Sequence, residues 1–243
     1  MQALATHSME SLPAGLYSVH SVFHEAINLF LAEDPVRLFS IVGAQKPLVP
    51  VGLQLPVDQV PTLEVGSWVQ VTSDVLILGD WTVNWSAAPA RDLTWRGRIT
   101  PNLQRTLLQT AQWLLTNRSP GLPSLHHFTG EATLTATVEQ LVGWGPGLTP
   151  SGDDFLCGWL WAWLGIEHPR CDELKAAIAQ RVAATTDVSQ NFLTLACEAQ
   201  FVEPLATFTT HPTQSLFTLA AQGASSGIDT LCGIVWGLTQ THF

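Results

Sequence analysis

Two stretches in the C-terminal half of the chain are near copies of each other, and they constrain what this half can fold into. One is Ser151-Gly152-Asp153-Asp154-Phe155-Leu156-Cys157-Gly158; the other is Ser226-Gly227-Ile228-Asp229-Thr230-Leu231-Cys232-Gly233. Both read Ser-Gly-x-Asp-x-Leu-Cys-Gly, and both open an apolar run, 159–164 after the first and 234–238 after the second. A flexible loop with an acid at a helix start, written twice, predicts two pseudo-repeated glycine-loop/helix units. Asp154 and Asp229 occupy matching places, whereas Asp153 is matched by Ile228. The repeated acid is therefore Asp154.

The rest of the chain divides by period. Residues 16–23, 26–31, 36–42, 51–55, 68–71, 75–78 and 81–85 read as short strands. Thr72-Ser73-Asp74 and Gly79-Asp80 are turn signals between them. Short strands with tight connections predict an antiparallel β barrel or sandwich. From Thr100 the period becomes helical: Pro101 suits a first turn, and Leu103, Leu107, Leu108, Ala111, Leu114 and Leu115 share one face. Further helices are expected at 131–142, 153–166, 171–184, 187–200, 213–223 and 227–240. The expected class is α+β, with a β-rich domain over 1–92 followed by an all-α domain over 93–243.

Charge excludes some functions. Acidic residues outnumber basic ones by 20 to 10, a formal net charge of -10. A nucleic-acid binder needs clustered Lys and Arg. The nearest approach here, Arg91, Arg96, Arg98 and Arg105, reads as a solvated face. The longest apolar run, 155–166, is about half of the roughly 20 residues a membrane span needs. No basic, apolar leader opens the sequence, and the expectation is a cytoplasmic protein. The four cysteines lack metal-ligand spacing, and Cys157 and Cys232 read as packing residues inside apolar helices. With ten tryptophans and little charge, apolar surface would be left over for an oligomer or complex to cover.

The densest chemical signal is the stretch from Gly143 to Asp154. Gly143, Gly145 and Gly147 permit positive φ and close backbone approach to a ligand. Thr149 and Ser151 offer hydroxyls and are candidate N-caps. A helix beginning near Gly152 presents free N–H groups and the positive end of its dipole, a place for phosphate or carboxylate. The second copy offers Ser225, Ser226 and Gly227. The candidate anion-binding residues are thus Gly145, Gly147, Thr149, Ser151, Gly152, Asp153, Ser225, Ser226 and Gly227. Asp154 and Asp229 are the candidate catalytic acids. They can orient a substrate amide, hold a cation, or brace the opposite loop. No cofactor signature and no metal-ligand set is present. Thr185-Thr186-Asp187 reads as a capped helix start whose hydroxyls could join an anion site. His20, Ser21, His24 and Asn28 form a weaker group, with His20 and His24 on one side of a strand by parity. His126-His127 falls in a loop.

At residues 145–156 the chain resembles a bacterial family long catalogued as a domain of unknown function and encoded beside purine and allantoin degradation genes. It is similar to the small third subunit of oxamate carbamoyltransferase. The resemblance extends to Ser21-Val22-Phe23 and to Ser226-Gly227-x-Asp229-x-Leu231-x-Gly233. It implies two larger partner subunits and transfer of a carbamoyl group between phosphate and oxamate. The small anions are then phosphate and oxamate or oxalurate. The Ser-Thr-Arg-Thr phosphate loop of aspartate and ornithine carbamoyltransferases is absent. Two other readings stand beside this one: a non-catalytic assembly subunit whose glycines let helices pack closely, and a free-standing hydrolase using the acids.

Overall fold

In the computed structural model, residues 1–7, 13–31, 34–117, 120–121 and 133–239 are described, with 34–37 described by backbone alone. His126-His127 lies outside the described residues. The chain divides into two compact units, Met1–Leu93 and Thr94–Phe243.

The described residues of the first unit form one sheet of eight strands: β1 Ala5–His7, β2 Gly15–Val22, β3 Ala26–Leu31, β4 Asp34–Val42, β5 Gly52–Gln54, β6 Trp68–Val71, β7 Val75–Leu78 and β8 Trp81–Asn84. Their order is β1-β5-β4-β3-β2-β6-β7-β8, antiparallel throughout except for the parallel pair β4–β5. The two ends of this order meet. Gln2 bridges Asn84, the Ala3 N–H donates to the Asn84 carbonyl at 2.9 Å, and the Leu4 N–H donates to the Gln54 carbonyl at 2.8 Å. The sheet is therefore curled, not split into two packed sheets. Cross-strand partners share a face, and Val19, Leu29 and Phe39 share theirs in register, as do Ile27, Ile41 and Leu53; all six are buried. In β6 the alternation is clean, with Val69 and Val71 inside and Trp68 and Gln70 outside. Strand β1, Ala-Thr-His, is too short for a periodic signal. Strand β4 starts at Asp34, so Pro35 lies at a strand opening, where a missing N–H is tolerated.

Among its described residues the second unit holds eight α-helices: α1 Pro101–Asn117, α2 Leu134–Leu141, α3 Ser151–Gly165, α4 Cys171–Arg181, α5 Asp187–Cys197, α6 Glu203–Ala206, α7 Pro212–Ala220 and α8 Ser226–Thr239. A 3-10 turn, Val182–Ala184, follows α4. Helix α3 is apolar nearly all round, which is the pattern of a helix at the centre of its unit. Trp159, Trp161 and Trp163 have no exposed surface. The indole N–H of Trp161 donates to the Leu205 carbonyl at 3.0 Å, and that of Trp163 to the Gly237 carbonyl at 3.1 Å. Trp95 stacks on Trp161 at 4.7 Å. Trp95, Trp159, Trp161, Trp163 and Trp236 are all buried, so much of the expected surplus of aromatic surface is absorbed within the chain.

Helices α3 and α8 pack most closely, and the contact is reciprocal. A Cβ at Gly158 would collide with the Thr230 carbonyl, and a Cβ at Gly233 would collide with the Phe155 carbonyl. Gly152 presses likewise on the Leu141 carbonyl at the end of α2, and Gly227 on the Leu219 carbonyl in the last turn of α7. Only hydrogen fits at these four places. Cys157, half-buried, and Cys232, buried, are packing groups on these helices; desolvation pushes the Cys157 thiol well up and the Cys232 thiol up to about 12. No described helix is long and apolar enough to cross a membrane.

Candidate functional site

The loop before α3 is shaped by its glycines. Gly143, Gly145 and Gly147 take φ of 72°, 119° and 94°, a region that side chains disfavour. Gly145 lies against the Ser151 backbone, while Gly147 faces open space. The loop is braced from α5. Thr186 Oγ1 donates to the Leu148 carbonyl and also caps α5 by accepting from the Ser189 N–H. Asp153 belongs to the same bracing: one oxygen accepts from the Gly143 N–H at 2.9 Å and the other from the Thr185 hydroxyl. Burial holds the Asp153 carboxyl above its ordinary value, and these hydrogen bonds work against that rise. Thr185 and Thr186 are thus engaged in holding the loop.

The helix starts do not offer the free amides expected of them. At α3, the Gly152 N–H donates to Trp144, and the Asp153 and Asp154 N–H groups both donate to Pro150. At α8, the Gly227 N–H donates to Gln222, and the Ile228 and Asp229 N–H groups both donate to Ser225. The N-cap of α3 is Pro150, with no side-chain cap from Thr149 or Ser151. An anion held here therefore cannot use the amides of residues 152–154 or 227–229, whereas the neighbouring hydroxyls and the helix dipoles stay open to it.

Those hydroxyls converge. Thr149 and Ser226, from the two glycine loops, hydrogen-bond each other at 3.0 Å. Both also bond the Asp154 carboxyl. The backbone of Gly121 enters the same place. Its N–H donates to Asp229 Oδ1 at 2.8 Å, and its α-carbon lies beside Ser151 Oγ, Ser225 Oγ and Asp229 Oδ2. Thr149, Ser151, Ser225, Ser226, Asp154 and Asp229 are thus gathered around the facing ends of α3 and α8. Asp153 points away from them into its own loop, and Gly152 and Gly227 serve helix packing. Gly121 was invisible to pattern reading: it is a lone glycine in a Pro- and Ser-rich loop, and its contact spans 108 residues.

Gly121 supports a first prediction. A methyl there would press on both serine hydroxyls and on Asp229 Oδ2. For any activity that depends on this cluster, Gly121→Ala is expected to lower turnover about tenfold. Because the residue is otherwise exposed, the melting temperature should move by less than about 3 °C. A fluorimetric melt run beside the assay reads both.

Asp229 is fully buried, and Asp154 Oδ2 is sealed from water with no hydrogen-bond partner among the described residues. Burial raises the Asp154 carboxyl well above its ordinary 3.8, and the charges of Asp229 and Asp153 add to the rise; the Ser226 and Thr149 bonds oppose it. A carboxyl whose folded pKa is raised contributes stability that is complete below the unfolded value, near 3.8, and is lost as pH rises through the folded value. Asp154→Asn is therefore expected to melt with the parent at pH 4 and above it at pH 7. Melting curves across that range check the sign. A carboxylate that merely braces the fold gives the opposite result, a variant less stable at pH 7. No group of three or more His, Cys, Asp and Glu among the described residues is arranged to hold a metal.

Two family models match the chain. Residues 141–238 match that of the oxamate carbamoyltransferase subunit AllH, and residues 1–90 match the AllH family N-terminal domain. Neither the curated proteins nor the solved structures give a match.

Proposed function

The chain belongs to the family of the oxamate carbamoyltransferase subunit AllH, and on that premise we propose that it supplies the amide-recognising part of a carbamoyl-transfer site. The full reaction interconverts oxalurate plus phosphate with oxamate plus carbamoyl phosphate, in purine and allantoin catabolism, within a complex containing two larger partner subunits. One observation carries the reading. A peptide N–H already donates to Asp229 between the hydroxyls of Ser151 and Ser225, and a peptide N–H is chemically the same donor as the amide of oxamate or the ureido group of oxalurate. Asp229 and Asp154 are the amide acceptors. Ser151, Ser225, Ser226 and Thr149 are donors to the substrate carboxylate or to phosphate. Gly145 and Gly147 shape the approach, with Asp153 holding their loop. The two glycine-loop units act as an approximate pair, each contributing one acid.

Electrostatic stabilisation by fixed donors in a dry site is usually the largest catalytic term, and this arrangement is fixed on both sides by helix packing. The test is co-purification with the partner subunits followed by an assay for phosphate-dependent oxalurate breakdown. Little activity is expected from the isolated chain and turnover from the assembly. An assembly inert toward oxalurate and phosphate refutes the reaction.

A second reading, a non-catalytic assembly subunit, is favoured by one observation: Trp113 and Phe217 are both exposed and lie ring to ring at 5.6 Å, an apolar pair suited to a partner surface. Substitution of the acids separates the two readings.

A further inference from the structure

A polar row crosses the β unit. Ser21 on β2 is the cross-strand partner of Asn28 on β3, and Asn28 is the partner of Ser40 on β4, so the three side chains share one face. They are hydrogen-bonded in sequence. Ser40 Oγ donates to Asn28 Oδ1 at 2.8 Å, and Asn28 Nδ2 donates to Ser21 Oγ at 3.0 Å. Asn28 and Ser40 are buried, at 8% and 5% exposure. Ser21 is half-buried, so the row ends at a hydroxyl that solutes can reach.

His20 meets that hydroxyl. Neighbouring strand residues point to opposite faces, but the β2–β3 register slips between Val19 and Ser21. Such a bulge turns the extra side chain toward its neighbour. His20 Nδ1 lies 3.2 Å from Ser21 Oγ, and the ring is held edge-on against Phe30 at 4.8 Å. The bulge and the end of β2 at Val22 also remove the parity that would have set His20 beside His24. Ser21 Oγ accepts from Asn28, and in the His20 tautomer that carries its proton on Nε2 the Ser21 hydroxyl donates to His20 Nδ1. A hydroxyl anchored by one residue and facing an imidazole acceptor is the arrangement of an activated nucleophile.

We propose that Ser21 is a nucleophile, with His20 as its base and Asn28 as the residue that orients it, and that it accepts a carbamoyl group. Ser21 Oγ attacks the carbamoyl carbon of carbamoyl phosphate while its proton passes to His20 Nδ1. The carbon–oxygen bond to phosphate breaks, phosphate leaves with the electron pair, and Ser21 carries the carbamate. An acceptor NH2 nitrogen then attacks the same carbon and gives up one proton to the released phosphate, while the serine oxygen leaves and recovers its own proton from His20. The choice of a carbamoyl donor rests on the family reading given above; the activation of Ser21 does not.

The experiment uses the full chain without partners. It is incubated separately with carbamoyl phosphate and with an aryl carbamate ester, and the adduct is located by peptide mass spectrometry. One carbamoyl group on Ser21 is expected from each reagent, absent in Ser21→Ala and formed about 100-fold more slowly in His20→Gln, as for loss of a general base. Absence of an adduct on Ser21 with both reagents overturns the proposal, as does equal labelling of His20→Gln. Labelling by the aryl ester alone overturns the carbamoyl phosphate donor. Should Ser21→Ala not fold, the position of the adduct in the wild-type chain still decides. Oxalurate breakdown by the assembled complex tests the family reading separately, so either can fail without the other.

Discussion

Asp229→Asn in the assembled transferase is expected to lower kcat/KM about 100-fold, a loss of about 2.7 kcal/mol, at the upper end for a hydrogen bond to a charged group. The substitution is close to isosteric. Its Oδ1 can still accept from the Gly121 N–H, so the loop contact survives. What is lost is the charge and one of two acceptor oxygens, the groups that a substrate NH2 would meet. Asp154→Asn should act in the same direction, and the double variant should lose little more than the worse single one if the acids act together. Gel filtration must show the complex intact. An intact complex with unchanged turnover makes the acids structural and favours the assembly reading.

The largest effect on stability is expected at the crossing of α3 and α8. Gly158→Ala and Gly233→Ala each place a methyl against a backbone carbonyl, of Thr230 and of Phe155 respectively. A flexible side chain could step aside, but a helix backbone moves only with its whole helix. Each variant should cost about 3 kcal/mol, or roughly 6–12 °C in melting temperature for a chain of this size. Gly147→Ala is the control. Its methyl meets nothing within 4 Å, and only its φ of 94° is unfavourable, for a cost of about 1–2 kcal/mol. Equal losses at 147 and 158 would show that backbone conformation, not helix approach, makes these glycines necessary.

Regular periodicity made much of this legible. The strands β3, β6 and β7 and the helices α3, α4, α5, α7 and α8 lie within a few residues of their expected positions, because each has an apolar face, whereas the single turn α6 was not expected. What was not legible depends on contacts far apart in the chain. Nothing near Gln2 announces that it will meet Asn84, so curling could not be told from sandwiching. The free amides expected at Gly152 and Gly227 are spent on Trp144 and Gln222, which depends on how tightly each loop turns back. Gly121 and the bulge at His20 are likewise tertiary facts. The repeat did single out Asp154 and Asp229 over Asp153, and the structure puts Asp153 to a different use by bonding it to Gly143 and Thr185.

The joining of the two ends of the sheet also has a kinetic side. Residues 2–4 sit between Asn84 and Gln54, so the opening residues have no settled place until the last strand has left the ribosome. Until then both edges of the growing sheet stay open to pairing with other chains. Contacts of such long sequence separation slow the search for the native state. The β unit should therefore form late relative to its own synthesis, and this interval is when the nascent chain is most exposed to aggregation.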